Sequence, residues 1–175
     1  MRRLAPALLL LPLLVTGCSQ VVETFPCPGS PVASLEFSGT RTLVTCAAGA
    51  PAAGVNSLFP ESVSFAGTLT ASGPGAALCL ARARAEPMVG TRVADQFDVE
   101  LDTRGALLGG CSATCAVAVH QQVTGTLLRD PGGAPSGFAG TLVDQETLDA
   151  TVAGTDCTPC VTPCQASYAL SAVPR

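Results

Sequence analysis

Hydrophobic and polar residues alternate with a period of two along most of this chain. In QFDVELD (96–102), Phe97, Val99 and Leu101 interleave with Asp98, Glu100 and Asp102. Successive strand side chains point to opposite sides, so this spacing puts one face in a core and the other in water. SVSFAGTLT (62–70) repeats the pattern with Val63, Phe65, Gly67 and Leu69. Further runs are LEFSGTRTLVT, AALCLARARA, MVGTRVA, CAVAVHQQVTGTLL, GFAGTLVDQ, LDATVAG and QASYALSAV. The alternation predicts about eight to nine strands and no helix. Turn signals fall between the runs, at 72–75 (SGPG), 103–105 (TRG), 108–110 (LGG) and 130–137 (DPGGAPSG). Short links without crossover helices predict an all-β antiparallel meander, closed as a barrel or folded as a sandwich. The run ending at Arg129 and the run starting at Gly137 are expected to form one hairpin, with 123–128 and 138–143 as its arms.

A Gly-Thr step recurs inside these runs, at Gly39, Gly67, Gly90, Gly125, Gly140 and Gly154, and the pentapeptide FAGTL occurs at both 65–69 and 138–142. Phenylalanine, glycine and leucine of that motif share a face. The bare glycine leaves room for an aromatic or branched side chain from the next strand, or lets the strand bend as a closing sheet requires. A repeated ligand loop would place the glycines at turns, whereas most lie mid-run.

The first residues carry Arg2 and Arg3, an apolar run from Leu4 to Val15, and then Thr16, Gly17 and Cys18. Such a run spans only about 18 Å as a helix, against roughly 30 Å for a hydrocarbon core, so it reads as a secretory signal and not as a spanning segment. Val15, Thr16, Gly17 and Cys18 resemble the lipobox of bacterial lipoproteins. The resemblance implies cleavage before Cys18, acylation of its thiol and attachment to the membrane through that lipid. Ser19 stands where enterobacterial inner-membrane retention signals have Asp, which favours the outer membrane. The expected organisation is a signal peptide over 1–17, a lipidated and proline-rich tether over 18–33, and a single β-domain over 34–175.

Composition narrows the function. Thirteen carboxylates face nine basic residues, all arginine, for a formal net charge of −4, and no block of positive charge suits nucleic acid. Tryptophan is absent and aromatic content is 4%, which argues against a stacking platform for sugars or bases. Small residues dominate, so the core needs other support. Beyond Cys18 the cysteines are Cys27, Cys46, Cys79, Cys111, Cys115, Cys157, Cys160 and Cys164. An even number in an exported chain predicts four disulfides, each contributing roughly 2 to 4 kcal/mol. Their connectivity is open; the clusters Cys111/Cys115 and Cys157/Cys160/Cys164 are expected to staple loop ends to neighbouring strands.

Candidate chemistry is sparse. CTPCVTPC (157–164) offers Cys157 and Cys160 as a redox pair, or a zinc site with Cys111 and Cys115. A thioredoxin-type pair opens a helix, whereas Val161, Thr162 and Pro163 follow here, so no metal or redox cofactor is expected. His120, the single histidine, has no G-x-S-x-G elbow to serve. The acidic row Asp98, Glu100 and Asp102 lacks the glycine-bearing spacing of a calcium loop and reads as a solvated strand face, its charges expected to meet Arg82, Arg84 or Arg92. The leading expectation is a non-catalytic, lipid-anchored envelope protein acting structurally or through an envelope protein partner. The alternative is a small apolar ligand carrier, resembling calycin-type barrels in strand number.

Overall fold

A computed structural model describes residues 26–46, 59–82, 85–107, 114–157 and 163–175; Cys18 with its lipobox, Arg84, Cys111 and Cys160 lie outside them. Eight strands follow in chain order: β1 (Ser30–Cys46), β2 (Ser62–Ser72), β3 (Gly75–Leu80), β4 (Met88–Val93), β5 (Gln96–Leu107), β6 (Ala116–Arg129), β7 (Pro135–Leu148) and β8 (Cys164–Pro174). Each pairs antiparallel with the next, and β8 returns to β1, so the meander closes as a barrel and not as a sandwich. Closure needs strands that bend. β1 supplies this with register shifts between Pro31 and Ala33 and between Arg41 and Leu43, which let its two edges follow β2 and β8.

β1 begins at Ser30, inside the stretch expected to be tether. Pro31 pairs with Thr70 beside the β1–β2 register shift, a setting in which strands tolerate proline. Cys27 is bridged to Cys79 in β3, so the end of the tether is tied to the barrel wall. The run LDATVAG is not a strand. β7 ends at Leu148, and Asp149 accepts hydrogen bonds from the Thr151 amide (3.0 Å) and hydroxyl (2.5 Å), turning the chain. A third bond, from the Gly105 amide at 3.0 Å, joins this turn to β5. Gly105 has φ +69° at the β5 register shift between Thr103 and Ala106, a conformation that favours glycine.

The expected β6–β7 hairpin is present, with Val123 opposite Leu142 and Leu128 opposite Gly137. Gly125 faces Gly140 within it. A Cβ at Gly125 would lie 2.5 Å from Cζ of Phe138, so this ring occupies the space that the glycine leaves. Gly67 does the same for Leu78, whose Cδ1 would be 2.8 Å from an added Cβ. Glycine therefore serves packing and close strand approach here, as its mid-run position predicts.

The inner face is apolar and the outer face polar, the inverse of a barrel that faces lipid. Phe37 stacks on Phe65 with centroids 4.9 Å apart and meets Phe138 edge-on at 5.5 Å. Leu35, Leu69, Leu78, Phe97, Val99, Val123, Leu127 and Tyr168 complete a packed interior, none more than 2% exposed. Asp98, Glu100 and Asp102 are exposed on the outside, as expected. Among the described residues they pair with neither Arg82 nor Arg92; Arg84 lies outside the described residues. Gln122 donates to Asp98 at 2.8 Å and His120 Nδ1 lies 3.0 Å from Asp102. Arg92 stands opposite Phe97 on the inner face, lies over that ring, and pairs with Asp95 instead; it therefore cannot reach an outward row.

Candidate functional site

The two ends of the barrel differ. At one end strands join through tight connections at 73–74, 94–95 and 130–134; at the other the connections are 47–61, 81–87, 108–115 and 149–163. The tight end is sealed. Arg92 covers Phe97, and Asp95 takes bidentate hydrogen bonds from Arg129 at 2.8 to 3.0 Å. These arginines hold the Asp95 carboxyl below the usual range, with the Arg129 hydrogen bond as the main cause.

Toward the long-loop end the inner face changes character. Along β7 the inward positions run Phe138, Gly140, Leu142, Asp144, Glu146. The last two bring carboxylates onto a mostly apolar inner face, which also carries Arg41, Arg92 and Gln121. In the ladders Asp144 lies between Gln121 of β6 and Ala166 of β8, and Glu146 lies between Val119 and Cys164. Gln121 donates its amide to Asp144 Oδ2 at 3.2 Å. Asp144 Oδ1 and Glu146 Oε2 are buried and have no hydrogen-bond partner. Glu146 is 9% exposed.

Burial dominates the electrostatics. It raises the Asp144 carboxyl, partly offset by the Gln121 hydrogen bond. It pushes Glu146 up to about 7, with the Asp144 charge acting in the same direction. The Tyr168 phenol is raised by burial and by Asp144. Arg41 stands opposite Tyr168, and its guanidinium donates to the Phe59 carbonyl. Among the described residues neither interior carboxylate forms an ion pair. A native protein ordinarily satisfies buried polar atoms, so two unpartnered oxygens on neighbouring inward positions mark a site that can accept donors.

Val44, Val63, Leu101, Val119 and Gln121 face inward and are half-buried, while Phe59, Val117, Cys164 and Ala166 at the same end are buried. The site is thus a pair of inward carboxylates near the long-loop end, with half-buried apolar side chains on the same inner face.

The residues singled out by sequence fall elsewhere. Cys115 and Cys157 form a disulfide with Cα atoms 4.6 Å apart, joining the segment before β6 to the segment after β7. This bridge removes Cys157 from a redox or zinc role with Cys160. Cys164 is also disulfide-bonded and stands opposite Cys46 in the β1–β8 register. His120 lies on the outer face with Asp102, away from the inward pair. Asp144 lies inside the run GFAGTLVDQ and Glu146 just beyond its end; continuing the alternation two and four positions past Leu142 puts both acids on the inner face. No protein-family signature, curated protein or solved structure matches this chain.

Proposed function

We propose that this protein is a lipid-anchored, non-catalytic binding barrel of the bacterial cell envelope that takes a small ligand at its long-loop end. One observation carries the binding role: Asp144 and Glu146 face inward near the long-loop end with unpartnered buried oxygens. The eight-strand closed meander resembles calycin-type carriers in strand number. The packed half, filled by Phe37, Phe138 and Tyr168, favours a ligand seated near the long-loop end over an apolar one occupying the whole barrel. The anchor rests on the lipobox-like Val15 to Cys18, with acylated Cys18 holding the protein to the membrane and Ser19 favouring the outer one.

The test is a thermal-shift panel of small amines, carboxylates, sugars and alcohols on the full chain in lipid nanodiscs. At least one compound is expected to raise Tm in the native protein and not in the Asp144→Asn/Glu146→Gln variant. Shifts of equal size in both proteins, or no shift with any compound, would overturn this end as a binding site.

A further inference from the structure

Deepening the binding role just proposed, we infer that the long-loop end of the barrel selects a small amphipathic organic cation, its ammonium group held between Asp144 and Glu146 and its apolar part lying on the inner wall. The inference rests on that role and adds the chemistry of the ligand.

Three features point to this class. The first is charge. Two carboxylates sit two positions apart on one strand face, with a free oxygen each, and no described cation pairs with either. Burying such a pair is costly unless a proton or a cation comes with it. The second is the set of neighbours on every packed element. β6 contributes Gln121 and Val119, while His120 faces outward; β8 contributes Tyr168, Ala166 and the disulfide-bonded Cys164; β1 contributes Arg41, whose guanidinium is directed at the Phe59 carbonyl. Arg41 keeps its charge but donates to the Phe59 carbonyl and pairs with neither carboxylate. The third is the wall. Val44, Val63, Leu101 and Val119 are inward and half-buried, a surface for a short alkyl or aromatic group. A metal ion suits the site less well. Two carboxylates and the Gln121 carbonyl fall short of the six to eight oxygens calcium takes, and no group of three metal-ligating acids, histidines or cysteines occurs among the described residues.

An ammonium ligand needs ionised carboxylates, so binding competes with the proton. Glu146 titrates at about 7, and hexylammonium keeps its charge throughout the range below. Its affinity is expected to fall by about tenfold per pH unit below that point, toward the ordinary glutamate value.

The experiment is isothermal titration of the full chain in lipid nanodiscs, blanked against empty nanodiscs, with hexylammonium, hexanol and calcium as probes at pH 8 and pH 5. Hexylammonium is expected to bind at pH 8 at least tenfold more tightly than hexanol, to weaken at least tenfold at pH 5, and to lose at least tenfold in Glu146→Gln at pH 8. The pH series on the native protein stands even where the variant fails to fold. Equal binding of hexylammonium and hexanol, or pH-independent binding, overturns the cation inference and leaves a binding barrel. Binding of calcium alone assigns the pair to a metal and also overturns it. Silence from all three probes overturns the inference, and the wider compound panel then decides the binding role separately.

Discussion

Glu146 is a carboxyl that the fold keeps from ionising easily. The unfolded chain releases its proton near the ordinary value of 4.5, while the folded protein holds it to about 7. The folded state therefore binds more protons between these values, and its stability is complete below the lower one and lost as pH rises through the upper one. Unfolding free energy is expected to drop by up to about 3 kcal/mol across that window, with Asp144 adding in the same direction. Asp95 and Asp149 act oppositely, because their carboxyls are held low by hydrogen bonds from Arg129 and Thr151. Their contribution is present above the ordinary aspartate value and fades as pH falls below it. Urea unfolding at pH 5 and pH 8 reads the larger effect. Glu146→Gln is expected to flatten the difference, and an undiminished difference would place the titrating group elsewhere. A sequence shows that an acid sits at 146, but its proton affinity is set by the neighbours that shut out water.

Two kinds of element show how far local pattern reaches. The β6–β7 hairpin is legible because both arms alternate cleanly and a strong turn signal separates them. The stretch 148–154 alternates too, yet forms a turn, because the Asp149 side chain captures local donors that a strand would leave to its neighbour. Cross-links at this end are equally hidden from pattern. The Cys115–Cys157 bridge closes a separation of 42 residues, for which loop-closure entropy gives about 4 kcal/mol. The Cys115→Ala/Cys157→Ala variant is expected to lose up to that amount in a denaturant titration while keeping its β-sheet circular dichroism. A loss confined to a few tenths of a kcal/mol would show that hydrogen bonds such as Thr155 to the Ala116 amide, at 2.7 Å, hold the end without the sulfur.

For the whole molecule, membrane attachment and barrel closure answer to different parts of the chain. Metabolic labelling with an alkynyl fatty acid is expected to mark the native protein and to disappear in Cys18→Ser, with the unlabelled protein released to the soluble fraction if an ordinary signal peptidase cuts instead. Persistent labelling of the variant would refute Cys18 as the acylated residue. The β-body, its meander order and its apolar stripe were determined by sequence alone, because a period of two and turn residues act within a few positions of each other. The closure of β8 onto β1, the pairing of Cys27 with Cys79 and of Cys115 with Cys157, and the meeting of Asp144 and Glu146 with Gln121 and Tyr168 at one end were decided only by tertiary structure. These are contacts between distant segments, fixed by how bent strands wrap around a common interior, and no local spacing encodes which of them will touch.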